Sequence, residues 1–388
     1  MEILLYFLIG AIILLLYFLF KNTNWIITII CSLLIIQIIL APQICIDGVI
    51  SGTLLFFYKV FPSLFSFLVV CNIILCYDGI NIYSRLIGKI LCKPLRLPVS
   101  CSFVIIISIL CGYPLGAKYS CELYEKNIID SFTCERLLNI ASNASPIFIL
   151  GSVGISMLKN SFIGYILLLS NLISCIVMGL LIPTRKTYKE YNIKKNHTHT
   201  YENIGKSIKK SIEGSLTTCT SIGGFIIIFS VINNILKHNF LFNSLVYRIS
   251  SILGISKDIV EGTLLGIIEM TNGCSLISSS TASITLKLII ISFLFTFSGI
   301  SIISQVYSFT YKFKISMKKY IVRKIFQGII CSITSFLLYN LSFHKLSTEA
   351  FLPNYKIAQN ISNVFIFTFI LLTIPWIIFK LKELFHIS

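Results

Sequence analysis

Apolar stretches long enough to cross a membrane recur from one end of this 388-residue chain to the other. A helix needs about 20 mostly apolar residues to cross some 30 Å of hydrocarbon. Hydrophobic residues make up 56% of the chain, charged residues 12%, and the mean hydropathy is +0.89, so we predict an all-α, polytopic membrane protein. The predicted spans are 3–20, 24–41, 54–77, 138–158, 162–182, 215–236, 284–306, 321–341 and 361–380.

The positive charge is concentrated in three connecting segments. The net charge is +17, and 18 of the 32 Lys and Arg residues lie in 78–98, 184–213 and 311–324. Short basic loops of this kind mark the cytoplasmic face of a membrane protein and can touch anionic lipid. We therefore expect these loops and the C-terminus to be cytoplasmic, the lipid bilayer to be a partner, and nucleic acid not to bind.

Catalytic and metal-binding patterns are missing from the sequence. The 13 cysteines form no CxxC pair, and the two histidines of the HTH tripeptide at 197–199 supply too few ligands for a metal. HExxH, GxSxG and GxxxxGK[ST] motifs do not occur. The sequence therefore predicts no enzyme, no metal and no cofactor. It leaves the energy source of transport and the oligomeric state open.

The stretch CGYPLGAKYS (111–120) interrupts one of the most apolar runs in the chain. Its proline prevents a continuous helix, and its glycines permit close approach or unusual dihedral angles. The preceding arm, VSCSFVIIISIL, has only 12 residues and is too short to cross. Because 78–98 and 184–213 are both predicted to be cytoplasmic with two crossings between them, 99–137 must enter and leave on one side. We predict a re-entrant hairpin with CGYPLGAK at its tip.

The second half of the chain repeats this order. Span 215–236 is followed by 237–258, predicted to be an external loop, and by 259–280, which is again too short and too broken to cross. FPSLFSFLVVCNIIL parallels TSIGGFIIIFSVINNIL, CGYPLGAK parallels EMTNGCS, and SNASPIFILGSVG parallels FTFSGISIISQV. Since one half begins outside and the other inside, we predict inverted repeats with discontinuous helices, an architecture of secondary transporters.

This order divides the chain into five predicted regions. They are an N-terminal transmembrane helix pair (1–44), a first repeat (45–183), a basic cytoplasmic linker (184–213), a second, inverted repeat (214–345) and a C-terminal transmembrane helix (346–388). Each repeat is expected to contain one re-entrant or broken hairpin.

Two ionisable residues in the broken segments suggest how a solute is held. A helix restarting near Leu115 would direct free N–H groups and its positive dipole end into the cavity, with Lys118 in its first turn. This favours a small anion, most simply a carboxylate; the alternative is that Lys118 snorkels to the membrane surface. Glu269, in the second hairpin, would carry a coupling proton, ligate a cation, pair with Lys118 or simply tie the hairpins together.

The segment SNASPIFILG is typical of a helix start, because Ser and Asn caps precede a proline in the first turn. It is either a cap alone or a polar part of the site that faces the hairpin tip. The predicted substrate-binding residues are Gly112, Tyr113, Pro114, Gly116, Lys118, Asn143, Ser145, Pro146, Glu269, Thr271, Asn272 and Gly273.

The motifs FPSLFSF, GYPLGAK and NASPIFILGSVG resemble those of the YlbJ-type (SpoVV) sporulation integral membrane proteins, which belong to the nucleoside-recognition (Gate) superfamily. The resemblance covers roughly 45–345. Where the family pattern has a second proline after PSLF, this chain has Ser66, and Ala144–Ser145 replace a glycine before the later proline. The resemblance implies transport of dipicolinic acid across the outer forespore membrane.

Three functions remain open at this point. A secondary transporter of a small anion explains the repeats and the broken helices, and we expect this function. The alternatives are a scaffold or regulator of the spore envelope that transports nothing, and a transporter of nucleoside type. A scaffold would not need charged, glycine-rich breaks at membrane depth.

Overall fold

The computed structural model describes residues 23–77, 79–184 and 203–343. These residues form helices joined by turns, with no strand among them, which confirms the all-α prediction. Four described helices are long and apolar enough to cross a bilayer, or up to six spans if two bent helix pairs are included. The predicted spans 3–20 and 361–380, and most of the basic linker, lie outside the described residues.

The chain enters through two helices that meet at a sharp bend. Helix α1 (Thr23–Leu40) ends at Ala41, and α2 (Pro42–Leu55) leaves at 108° because proline occupies its first turn. A π-helical turn, Phe56–Val60, joins α2 to α3 (Phe61–Cys76). Pro62 has no N–H to donate, and a π turn is a common adjustment beside proline in a membrane helix. The predicted start of a span at residue 54 is wrong, because helix continues upstream to Pro42.

Two short helices joined at GYP stand where the first hairpin is predicted, and its re-entrant course in the membrane stays a prediction. Helices α4 (Gly79–Leu86) and α5 (Gly88–Cys92) precede this pair. Helices α6 (Ser102–Cys111) and α7 (Leu115–Glu125) are joined by three residues, and we call them hairpin 1. With 10 and 11 residues, neither arm is long enough to cross a bilayer.

The predicted continuous span 138–158 is wrong. Helix α8 (Ser131–Ile140) ends within the predicted span, and residues 141–145 form a non-helical segment that we call break 1. Helix begins again at Pro146 and continues as the π-helix α9 (Ile147–Met157). Pro146 lacks an N–H and disfavours helical dihedral angles in the preceding residue, so the helix cannot run through it. Helix α10 (Ser161–Leu181) then crosses as predicted.

The second half begins with the longest helix. Helix α11 (Ile204–Lys237) contains the predicted span 215–236. The segment 237–258 contains helix α12 (Phe240–Leu253), which is capped by Asn239, and its predicted position outside the membrane stays a prediction. An Asn at the N-cap supplies acceptors for the first free N–H groups, and this signal lay in the sequence.

A second hairpin and a second break follow. Helices α13 (Lys257–Ile268) and α14 (Met270–Ser279) meet at Glu269 and form hairpin 2, as predicted for 259–280. Helix α15 (Ile284–Phe297) and α16 (Gly299–Thr310) meet at Ser298, which we call break 2. Residues 284–310 together are long and apolar enough to cross, as predicted for 284–306. The regular helix is nevertheless interrupted inside this span, because Ser298 and Gly299 have positive φ, 76° and 74°, which the interior of a right-handed α-helix does not allow. Helix α17 (Met317–Phe343) completes the described chain.

The long helices of the two halves pack side by side. Glycines on α2 let the backbone of α11 come close: a Cβ atom at Gly48 would lie 2.8 Å from Val231 Cα, and one at Gly52 would lie 2.9 Å from Ile227 Cα. Each half thus contributes a long helix, a hairpin and a broken helix to one body. The opposite orientation of the two halves in the membrane, and the boundaries of the five regions, stay predictions.

Candidate functional site

The tips of both hairpins, break 1 and the helix that follows break 2 surround one cavity of about 120 Å³. Both halves of the chain contribute to its wall, since hairpin 1, α9, hairpin 2 and α16 all line it, together with α2, α3 and α11. Its polar or ionisable wall residues are Cys111, Tyr113, Ser145, Ser152, Glu269, Thr271, Ser301 and Gln305. Of the predicted site residues, Tyr113, Pro114, Ser145, Glu269 and Thr271 line it.

The two glycines of hairpin 1 let its tip press against break 1. A Cβ atom at Gly116 would lie 1.6 Å from the carbonyl oxygen of Ala141, and one at Gly112 would lie 2.6 Å from the Ser145 nitrogen. Gly112 also has φ 77°. Any side chain at either position would therefore move the hairpin away from the break. Gly112 and Gly116 shape the site without lining it.

Tyr113 joins the two halves of the protein across the cavity. Its backbone N–H donates to the Asn143 carbonyl oxygen of break 1 at 2.7 Å. Its hydroxyl donates to the Met270 sulfur of hairpin 2 at 2.6 Å and lies 3.3 Å from the Phe295 carbonyl oxygen. If either hairpin moves, these contacts must therefore break, or their partners must move with it.

Glu269 stands at the tip of hairpin 2 and is 4% exposed. Its carboxylate accepts hydrogen bonds from the backbone N–H groups of Thr271 at 3.0 Å and Asn272 at 2.8 Å. The side chain thus caps α14, where the positive end of the helix dipole favours negative charge. Gly273 packs against Gly266, where a Cβ atom would lie 2.2 Å from the Gly266 Cα. Asn272 and Gly273 therefore support the tip from behind rather than line the cavity.

Lys118 lies in the first turn of α7, as predicted, but its side chain does not reach the cavity. The half-buried ammonium is 5.1 Å from the centre of the Tyr119 ring. The predicted ion pair with Glu269 is not formed, and no Asp or Glu of the described residues lies within ion-pair distance of Lys118. The expectation that this lysine stands at the hairpin tip is corrected, because the helix rotates its side chain away from the tip.

Break 1 divides its predicted site residues between two surroundings. Ser145 faces the cavity, and its hydroxyl oxygen accepts the Phe148 N–H at 3.2 Å, which confirms the predicted helix start. Asn143 is buried on the other side, where its amide donates to the Ile140 carbonyl oxygen at 2.6 Å. Pro146 ends the break and does not line the cavity.

Sequence reasoning missed a buried polar face on α17. Tyr320, Lys324 and Gln327 are 1%, 0% and 0% exposed, and all three bind break 1. Lys324 is the last residue of the basic segment 311–324, and it lies buried within α17 rather than in a solvated loop. The spacing of these residues, i, i+4 and i+7, places them on one helix face and was the available signal.

Two cavity residues on α16 were also missed. Ser301 and Gln305 are both 2% exposed and line the cavity opposite break 1. They stand one helical turn apart, and they lie in the FTFSGISIISQV segment that parallels SNASPIFILGSVG. The similarity between these two segments therefore indicated that α16 belongs to the site, but it did not single out Ser301 and Gln305.

Comparison with known proteins gives a similarity in sequence to one curated protein and weaker similarities to solved structures. The chain is 24% identical over 330 residues to the sporulation integral membrane protein YlbJ of Bacillus subtilis (strain 168), covering 77% of this chain and 78% of that protein. A solved structure of a CNTnw variant in the intermediate 2 state has a TM-score of 0.44 and 12% identity, covering 84% of this chain and 87% of that one. A second CNTnw variant, in an outward-facing state, has a TM-score of 0.39 and 12% identity, covering 73% and 74%.

No family model matches the sequence. The relative in Bacillus subtilis is described as an integral membrane protein, in agreement with the prediction that the chain is not an enzyme. This alignment confirms the resemblance of the chain to the YlbJ-type sporulation integral membrane proteins.

Proposed function

We propose that this chain is a membrane transporter whose solute occupies the cavity between hairpins 1 and 2. The observation that carries the proposal is the convergence of two hairpin tips and two broken helices on one cavity. Non-helical backbone at membrane depth is tolerated where it is buried in protein or lines a cavity, and discontinuous helices of this kind hold the solute in secondary transporters. A scaffold needs neither feature.

For the solute we propose a small planar carboxylate, dipicolinate, which the protein moves across the outer forespore membrane during sporulation. The relative's description as a sporulation membrane protein supports the setting. The N-terminal end of α7 supports a carboxylate, because it follows Pro114 at the cavity wall and its dipole attracts negative charge. Phe67, Tyr113 and Phe148 offer aromatic surface to a planar ring. We further propose that the basic loops of the protein face the cytoplasm.

The charge state of Glu269 determines whether a carboxylate solute can enter the cavity. No Lys or Arg of the described residues lines the cavity, and the carboxylate of Glu269 already caps hairpin 2. An ionised Glu269 would repel a carboxylate solute, because the side chain is buried and water does not screen its charge. A carboxylate therefore enters only when Glu269 holds a proton, and we expect its uptake to rise as the pH falls.

The same carboxylate favours a second candidate, an uncharged solute that donates hydrogen bonds, such as a nucleoside. Ionised Glu269 is a strong acceptor, and Thr271, Ser301 and Gln305 add neutral polar groups around it. The two candidates require opposite charge states of one residue. This opposition makes them separable by a single substitution.

The test measures uptake of labelled dipicolinate and labelled uridine into proteoliposomes that contain the purified protein, with phthalate as a competitor. Glu269→Gln imitates the protonated acid. If dipicolinate is the solute, this variant takes it up and loses the rise at low pH. If uridine is the solute, the variant loses uptake. Lys118→Met is the matched control, because its side chain lies outside the cavity, and it should retain uptake. Absence of uptake of either solute by folded, inserted protein would overturn the transporter proposal and favour the scaffold.

A further inference from the structure

The buried polar face of α17 holds a lysine that the proposed transport path does not use. Lys324 is fully buried. Its ammonium donates to the Ser142 carbonyl oxygen of break 1 and, at 3.0 Å, to Oε1 of Gln327. Both acceptors are uncharged. The ammonium of Lys324 therefore lies just beyond the C-terminal end of helix α8, where the negative end of the helix dipole favours a positive charge.

The charge of Lys324 is not balanced by a carboxylate of the described residues. No Asp or Glu in the described ranges lies within ion-pair distance of it. The titratable side chains that face it are the thiols of Cys175 on α10 and Cys331 on its own helix, with the Tyr320 phenol one turn before. The Cys175 thiol donates to the Ile140 carbonyl oxygen at 2.9 Å.

A buried lysine of this kind can exist in two protonation states. Burial disfavours the ammonium, hydrogen bonds from the ammonium to carbonyl oxygens favour it, and no paired carboxylate fixes the charge. A neutral amine can still donate one or two hydrogen bonds. Ionisable groups at membrane depth in transport proteins are commonly proton relays.

Lys324 is connected to the cavity through three hydrogen bonds, the first of which is the one to Gln327. Its partner Gln327 donates to the side-chain oxygen of Asn143 at 3.0 Å. The backbone oxygen of Asn143 accepts the N–H of Tyr113 at the tip of hairpin 1, and Tyr113 lines the cavity. A change in the charge of Lys324 therefore acts on the segment that holds the hairpin tip.

The same helix face reaches the second break. The Tyr320 hydroxyl is 2.7 Å from the Ser142 hydroxyl of break 1 and also lies beside the Ser298 hydroxyl of break 2. One face of α17 thus contacts both interrupted helices, one from each half. An element in this place can transmit a charge change at Lys324 to both halves.

Resting on the proposed function, we propose that Lys324 is the proton-binding site that couples solute movement to a pH difference across the membrane. In each cycle the ammonium releases one proton to water on one side, and the amine takes up one proton from water on the other. When the ammonium is present it holds break 1 through Ser142, and when it is neutral this hold weakens and hairpin 1 is free to shift. Either direction of coupling, with or against the solute, satisfies this assignment.

The test compares accumulation driven by a pH difference with exchange at equal pH, in proteoliposomes loaded with labelled dipicolinate or uridine. The ratio of the two rates isolates coupling from loss of active protein. We expect Lys324→Met, which cannot bind the proton, and Lys324→Arg, which cannot release it, each to lower this ratio at least about tenfold. Lys319→Met, an exposed lysine on the same helix, is the matched control and should leave the ratio unchanged.

A second measurement keeps the proposal independent of transport rates. Affinity of the detergent-solubilised protein for the same labelled solute, measured from pH 5 to pH 9, should vary with pH in the natural chain through both Glu269 and Lys324. It should lose the contribution of Lys324, and so vary less, in Lys324→Arg, which keeps the positive charge, while the contribution of Glu269 remains. If accumulation survives in Lys324→Arg, or is lost only in Glu269→Gln, Lys324 is not the coupling site. If the natural chain moves neither solute in any condition, the proposed function fails first.

Discussion

The sharpest structural prediction concerns Gly116 at the start of α7. Its Cα faces break 1 so closely that an added Cβ atom would lie 1.6 Å from the Ala141 carbonyl oxygen and 2.7 Å from the carbonyl carbon. Carbon and oxygen atoms that are not bonded normally stay more than 3 Å apart, so Gly116→Ala must push the hairpin off the break. Because the obstacle is backbone, no side-chain rotation relieves it.

The expected loss in the free energy of unfolding lies at the upper end of the range for overpacked cores. Forcing one extra carbon into a packed interior costs about 1–3 kcal/mol, and the rigid neighbour places Gly116→Ala at about 3 kcal/mol or more. The shift also loosens the bond from the Tyr113 N–H to the Asn143 oxygen. Uptake should therefore fall by more than the loss of folded protein explains.

The assay is thermal unfolding of the purified protein in detergent, followed by uptake per folded molecule. Gly224→Ala is the matched control, since Gly224 lies in α11 with open space around it and nothing within 4 Å of an added Cβ atom. Alanine there should be neutral or slightly stabilising, because it favours helix over glycine by about 1 kcal/mol. Equal melting temperatures for Gly116→Ala and Gly224→Ala would refute the close approach of hairpin 1 to break 1.

Two further substitutions test the contacts on either side of the cavity. Tyr113→Phe removes the hydroxyl that reaches the sulfur of hairpin 2 and should cost about 1 kcal/mol in thermal unfolding while altering uptake, because the tie between the halves is lost. An unchanged transport rate would contradict that role. Asp130→Ala removes the side chain that accepts the Thr133 N–H at the start of α8 and should cost about 1 kcal/mol, leaving uptake per folded molecule intact. A changed affinity for the solute would show that this cap does more than hold the helix.

The chain breaks that depend on proline and glycine could be predicted from the sequence. Gly112 and Pro114 mark the tip of hairpin 1, and Pro146 marks the end of break 1. These residues act locally, through a fixed φ, a missing N–H or a positive φ. Two of the three predicted segment pairs between the halves also contain the two hairpin tips and the two breaks.

The interruption at Ser298 could not be predicted in the same way. The run 284–306 is apolar and contains no proline, so it satisfies every local requirement for a continuous span. The left-handed turn is stabilised by tertiary packing: a Cβ atom at Gly299 would meet the carbonyl oxygens of residues 266–268 at 3.2–3.3 Å. Which neighbour lies there depends on the fold of hairpin 2, not on the local sequence.

The positions of the two lysines show the same limit. Lys118 follows an apolar stretch, which suggests a part in the site, and Lys324 ends a basic segment, which suggests a topology signal. The rotation of each helix about its axis decides which neighbours the side chain contacts. Rotation places Lys118 beside Tyr119 and buries Lys324 against break 1. Charge patterning identified Lys324 as a topology signal because the rule counts basic residues without regard to the face they occupy.

The most direct test of the account is to fill the cavity from one wall and measure uptake of labelled dipicolinate and uridine in proteoliposomes. Ser152 of α9 lines the cavity, whereas its neighbour Gly151 has nothing within 4 Å of an added Cβ atom and does not line it. We predict that Ser152→Leu abolishes uptake and that Gly151→Leu, one residue away with the same added side chain, retains it. Equal uptake by the two variants would contradict the claim that solute passes through this cavity.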